Sequence, residues 1–189
     1  AMAGDKIVDV AMDEFQYFAE DSNPIALPNQ DGAFGEGAKE GMILGSKLEN
    51  NDSYSAMLAE KAGSTVTVAD NFKAIIDFVK GKTVAEVEEV IANAEPGKPI
   101  DAVSGATLAD TAGYLQIIVD TVKDTSDVSK GMAENVDAVT LSQIFAAPHG
   151  DKTFGDAVVA KEGDKIVVAS FDEFQYSGGV TVPSSDGAF

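Results

Sequence analysis

The 189-residue sequence contains no cysteine, no arginine and a single histidine. Without cysteine there is no disulfide framework, thiol chemistry, Fe–S cluster or thiolate zinc site. The one imidazole, His149, cannot build a zinc site of several histidines, and a Ser-His-Asp triad would hang on it alone. No apolar run approaches the ~20 residues that a membrane-spanning helix requires. Positive charge is scarce: 13 lysines face 32 acidic side chains, for a formal net charge of −19. Such an anion repels both nucleic acid and an anionic membrane surface, so neither is expected as a partner. Cysteine avoidance is common in secreted bacterial proteins and occurs in cytosolic ones, so it fixes no compartment. The chain opens on neither a signal peptide nor a lipidation cysteine; any such segment is expected to have been removed.

What is present is a globular composition, 44 % apolar and 24 % charged, long enough for one ordinary domain or two small ones. It also contains an internal repeat. Residues 4–17, GDKIVDVAMDEFQY, return at 163–176 as GDKIVVASFDEFQY. Pro28 and Asp31-Gly32-Ala33-Phe34 return as Pro183 and Asp186-Gly187-Ala188-Phe189, with a loop four residues longer in the first copy. This period is too long for a solenoid and marks tandem homologous domains, one copy and a fragment of the next. Asp151–Ala160 reads as the outer strand of a hairpin turning at Glu162-Gly163-Asp164. The first copy has no counterpart, because Ala1 aligns with Ala160. We therefore expect an open sheet edge in the first copy, filled by the C-terminal segment of the same chain or of a neighbour through strand addition.

The elements are α+β in type. Lys6–Met12 and Lys165–Phe171 are β-branched runs after Gly-Asp turns and predict strands. Residues 18–50 predict loop with a short strand at Met42–Leu44. Helices are predicted over Ser53–Ala62, over Asn71–Lys80 with Asp70 as N-cap, and over Val84–Ala92 with a Thr83/Glu86 capping box. A fourth, Leu108–Lys123, carries an apolar stripe of Leu108, Ala112, Leu115, Val119 and Val122. Hairpin strands beside clustered helices give an α+β domain over 1–123 that lacks its first strand. A polar linker, 124–138, leads to the N-terminal part of a truncated second repeat, 139–189.

Between the third and fourth helices lies Asp101-Ala102-Val103-Ser104-Gly105-Ala106-Thr107. Ser104, Gly105 and Ala106 are small enough for a ligand to approach the backbone. The stretch leads into a helix N-terminus, where free N–H groups and the dipole favour an anion. Thr107 offers a hydroxyl there, and Leu108 follows it. A plainer reading also fits: Thr107 with Asp110 is an N-capping pattern that needs no ligand.

Asp-x-x-Ser-Gly-Ala-Thr resembles the flavinylation signature of the FMN-binding domain family at every specified position. That family includes the C subunit of the sodium-translocating NADH:quinone oxidoreductase and the G subunit of Rnf complexes. The resemblance implies that Thr107 carries FMN through a phosphoester, within a recognition loop of Asp101, Ser104, Gly105 and Ala106. It implies a flavin transferase as partner, using FAD as donor with Mg²⁺. The tandem arrangement and acidity resemble surface FMN lipoproteins of Gram-positive extracellular electron transfer. From this follow a lipid-anchored location outside the cell, a membrane NADH:quinone-type donor and extracellular acceptors. The chain is then an electron carrier rather than an enzyme. The second copy stops before any Ser-Gly-Ala-Thr of its own, so one FMN is the most this chain can bear by that route.

A flavin ring also needs a flat apolar wall. Tyr54, Met57 and Met42 are the candidates, each also suited to ordinary core packing. Lys47 could face the flavin or its phosphate, but reads first as a surface lysine, and His149 reads as a turn residue. Phe15 and Tyr17 are expected to pack inward, while neighbours Asp13 and Glu14 point to opposite faces and cannot form a dyad. Two alternatives stand beside the carrier: a surface binding or structural module in which Thr107 only caps a helix, and a flavin-dependent reductase.

Overall fold

A computed structural model describes residues 1–124, 126, 128–176 and 182–185. The second-copy segment Asp186-Gly187-Ala188-Phe189 lies outside the described residues. The fold is α+β and divides into two compact units. One comprises Ala1–Met12, Ser55–Ser142 and Val158–Ser170; the other comprises Asp13–Tyr54, Gln143–Ala157 and Phe171–Phe189.

The first unit holds a small hairpin, β1 (Met2–Ala3) and β2 (Lys6–Ile7), paired antiparallel with Met2 opposite Ile7. Gly4 turns it at φ +61°, and its repeat equivalent Gly163 has φ +59°. The strand expected to run to Met12 stops at Ile7. Beyond it, the Ala1 carbonyl accepts from the Val8 N–H at 2.9 Å and the Ala1 ammonium donates to the Asp9 carbonyl at 2.6 Å. The far edge of β2 is covered locally: Ile7 N–H donates to Lys82 C=O (2.9 Å) and Gly81 N–H to Ile7 C=O (2.7 Å), with a bridge from Lys6 to Thr83. No strand of the C-terminal segment of the same chain pairs with β2 among the described residues.

Four helices follow: α1 (Asn51–Ala62, in this unit from Ser55 onward), α2 (Val68–Val79), α3 (Val84–Ala92) and α4 (Thr111–Lys123). Ile7, Ile75, Val79, Val87, Leu115 and Val119 form the centre of their core. The Thr83/Glu86 capping box is present, with the Thr83 N–H 2.7 Å from the Glu86 carboxylate. We expect Thr83→Ala to cost about 1 kcal/mol, read as a lower midpoint of thermal unfolding. α2 begins three residues earlier than predicted. Its cap is Thr67, whose hydroxyl accepts from the Asp70 N–H at 3.0 Å, while the Asp70 carboxylate accepts the Thr67 hydroxyl in return. That shift brings buried Val68 onto the apolar face with Phe72, Ile75 and Val79.

In the second unit, β3 (Phe15–Ala19) and β4 (Met42–Ser46) pair antiparallel, from Phe15 opposite Ser46 to Ala19 opposite Met42. Most of what was predicted as loop over 18–50 is indeed irregular, but β4 extends two residues beyond the expected strand. Leu27, Phe34, Leu44 and Phe154 form this unit's buried core, with Phe15, Tyr17, Phe145 and Phe174 packed against it. Equivalent residues of the two repeat copies meet here. Phe15 lies 6.4 Å from Phe174 between ring centroids, and the Tyr17 and Tyr176 hydroxyls hydrogen-bond. Like meeting like is the mark of a two-fold, self-complementary contact. Asn29 adds bonds from Nδ2 to the Gly150 and Thr153 carbonyls, at 2.8 and 2.6 Å. Within this unit the second copy is thus joined to the first by aromatic packing and scattered hydrogen bonds.

The chain ends in a three-stranded sheet in the order β5 (Val139–Ala146), β6 (Thr153–Glu162), β7 (Lys165–Gln175). The turn between β6 and β7 falls at Gly163-Asp164, within the predicted Glu162-Gly163-Asp164, with Glu162 still in β6.

Lys47 is not the surface lysine expected. It is 7 % exposed, its Nζ sits 2.6 Å from the Glu14 carboxylate and lies 4.8 Å from the centroid of the Tyr54 ring. A long alkyl stem lets lysine bury along apolar surface when its charge is met at the tip. Asp13 serves other partners, the Ser46 hydroxyl and the Leu48 N–H. Burial raises the Asp13 pKa, the Ser46 hydroxyl and neighbouring N–H groups oppose this, and Asp156 adds to the rise. Asp156 is itself raised by burial, opposed by Gln143 and reinforced by Asp172. A carboxyl whose folded pKa is raised binds its proton more tightly folded than unfolded. Its contribution is full below the unfolded value near 3.8 and is lost as pH rises through the folded value. Thermal unfolding followed from neutral pH down towards that value should show wild type gaining stability, and Asp13→Asn should flatten the gain.

Candidate functional site

The Asp101–Thr107 loop is built from two successive turns. Val103 N–H donates to Ile100 C=O at 2.9 Å, and Ala106 N–H to Val103 C=O at 3.1 Å. Ile100, Val103 and Ala106 plug into the core, whereas Asp101, Ser104, Gly105 and Thr107 are exposed. Alternation of anchors and exposed polar residues fixes the loop without hiding its chemistry. Gly105 has φ +93°, a left-handed conformation that L side chains rarely adopt, and a Cβ there would lie 3.4 Å from the Ala74 Cβ. The backbone conformation, rather than lack of space, favours glycine here.

α4 begins at Thr111, not at Leu108 as predicted. Leu108–Asp110 form a turn closed by the Thr111 N–H and hydroxyl, both donated to Leu108 C=O at 3.1 and 2.6 Å. Asp110 occupies the N-cap without a side-chain cap bond. Thr107 is therefore not the helix cap, which removes that plainer reading of the motif. The helix N-terminus also lies one turn beyond the loop, so Thr107 does not sit among its free N–H groups as anticipated.

Thr107 is held from α2 instead. Its backbone N–H donates to Asn71 Oδ1 at 2.6 Å and its hydroxyl to the same oxygen at 3.3 Å. Asn71 has no exposed surface, and its Nδ2 donates to the Thr67 and Val66 carbonyls at 2.8 and 3.3 Å. The sequence alone marks Asn71 only as the first residue of a predicted helix. The available signal was positional: residues 68, 71, 72, 75 and 79 form one face, and an asparagine there interrupts an apolar stripe.

An open cleft of about 440 Å³ lies beside the loop, lined by Asp70, Lys73, Ala74, Asp77 and Phe78 of α2 and by Ala102, Ser104 and Gly105. Half of the lining is small or aromatic, Ala74, Ala102, Gly105 and Phe78, with the Lys82 ammonium 4.4 Å from the Phe78 ring centroid; the other half is polar. Lys73 is the cation of this lining. Hydrogen bonding to Asp77 raises the Lys73 pKa and lowers that of Asp77, so both stay charged at neutral pH. The lining thus combines one aromatic ring and small residues with two carboxylates, the ammonium that Asp77 pairs, and the Ser104 hydroxyl; Thr107 is not part of it.

The other wall candidates lie elsewhere. Met42 is half-buried on β4, and Tyr54 packs edge-on to Phe18 beneath Lys47, both in the second unit. Met57 is half-buried on α1. None of the three lines the cleft beside the loop. Among the described residues no cluster of His, Asp or Glu is arranged to hold a metal ion. No protein-family model matches the chain, and no curated protein or solved structure matches it either.

Proposed function

We propose that the protein is an electron-carrying flavoprotein that bears FMN on Thr107 through a phosphoester bond. The observation that carries this reading is the Asp101–Thr107 loop itself. The motif's threonine is exposed, anchored through its backbone and free of any capping duty, and Ala102, Ser104 and Gly105 of the same loop line an open cleft. Ala74 and Phe78 offer the flavin ring a surface, and Lys73 is the one cation of the lining, paired there with Asp77 beside Asp70.

Bound FMN supplies one- and two-electron chemistry; this chain supplies the tether, the wall and the charge. A covalent link suits a location outside the cell, where a dissociated cofactor would be lost. The protein is then the substrate of an FAD-dependent flavin transferase, and it exchanges electrons with a membrane NADH:quinone-type donor and extracellular acceptors. The test is incubation of purified chain with such a transferase, FAD and Mg²⁺. Flavin absorbance that stays with the polypeptide after denaturation and gel filtration supports the proposal. Colour lost on denaturation, or none acquired, counts against it. Turnover of NAD(P)H without a partner would instead favour the reductase.

A further inference from the structure

We infer that Asn71 is the positioning residue for Thr107, presenting its hydroxyl to the transferase; this deepens the flavoprotein reading and rests on it. Asparagine is a poor choice inside a helix and a costly one on a buried face, where leucine would pack against Val68, Phe72 and Ile75. Here its cost is offset because every polar atom is engaged. Oδ1 accepts twice from Thr107 and Nδ2 donates twice to the carbonyls that open α2. No hydroxyl or ammonium side chain provides an acceptor and two donors pointing in opposite directions. The side chain therefore links the first turn of α2 to the attachment residue and to nothing else.

The two bonds to Thr107 have different lifetimes in the reaction. Attachment joins Thr107 Oγ1 to the FMN phosphorus of FAD and breaks the pyrophosphate P–O bond with AMP as leaving group. The hydroxyl proton goes to the transferase or solvent. The Asn71 contact with the hydroxyl orients it beforehand and ends with that proton, whereas the bond from the backbone N–H persists through attachment. Asn71 thus holds the loop in one position before and after the phosphoester forms.

The experiment compares Asn71→Leu and Asn71→Asp in the full chain. Asp keeps an oxygen facing Thr107 and loses the donors to Val66 and Thr67; Leu loses both. Leu should slow attachment roughly tenfold at saturating protein, and Asp should stay within about threefold of wild type. Amide exchange by NMR gives a readout independent of flavin. The Thr107 N–H should be protected in wild type although its residue is exposed, and should exchange roughly tenfold faster in the Leu variant. Attachment to the Leu variant at the wild-type rate overturns the inference, as does equal loss in both variants or an unprotected Thr107 amide in wild type. The wild-type amide decides the matter even if a variant fails to fold. Absence of attachment in wild type would sink the flavoprotein reading, while the exchange data still decide whether Asn71 anchors Thr107.

Discussion

Thr107→Ala should abolish covalent flavin while leaving the fold intact. The hydroxyl removed is exposed and makes one long bond of 3.3 Å to Asn71, whereas the 2.6 Å bond from the backbone N–H remains available to alanine. Asn71 keeps its two donor bonds, so no buried polar atom is stranded. The unfolding midpoint should therefore move by less than about 1 kcal/mol in stability terms, while flavin attached after incubation with the transferase falls to background. Attachment surviving the substitution would mean that another hydroxyl is the acceptor, with neighbouring Ser104 the first to examine.

The second large effect concerns stability. Phe154 belongs to the second repeat copy, is 2 % exposed, and has Phe15, Phe34 and Phe174 at centroid distances of 5.5, 5.3 and 5.0 Å. Phe154→Ala removes a ring from a closed aromatic cluster and should cost about 3–5 kcal/mol. Ile166→Ala, at a residue 67 % exposed, should change stability by less than about 0.5 kcal/mol. Denaturant unfolding of the two variants checks the contrast. A mild effect at Phe154 would show that the C-terminal segment does not share a core with Phe15 and Phe34.

The features legible in the sequence were those set by local chemistry. The Val84–Ala92 helix was readable to its ends because Thr83 and Glu86 satisfy each other across one turn. The β6–β7 turn was readable because its Gly-Asp recurs in the repeat. The errors lie where tertiary partners decide. The first-copy strand halts at Ile7, although β-branched residues follow at Val8 and Val10. β3 was blurred by a surrounding rich in proline and glycine, and its pairing with β4 bridges more than twenty residues of chain. α4 starts late because the Thr111 hydroxyl closes a turn on Leu108, which no N-cap preference anticipates. Lys47 is buried because Glu14 and Tyr54 meet it, contacts invisible in its own neighbourhood. At the site, the loop's place between the third and fourth helices was legible, but its distance from the α4 N-terminus and its support were not. Asn71 stands thirty-six residues earlier, and only the fold brings it under Thr107.

The central claim is that Thr107 is an attachment point for FMN. The most direct test is the intact mass of the chain co-expressed with a flavin transferase, followed by fragmentation of the peptide spanning Asp101–Leu115. The account predicts a single mass increase equal to FMN less one water, localised to Thr107. An unshifted mass, or a shift localised to any other residue, would contradict it.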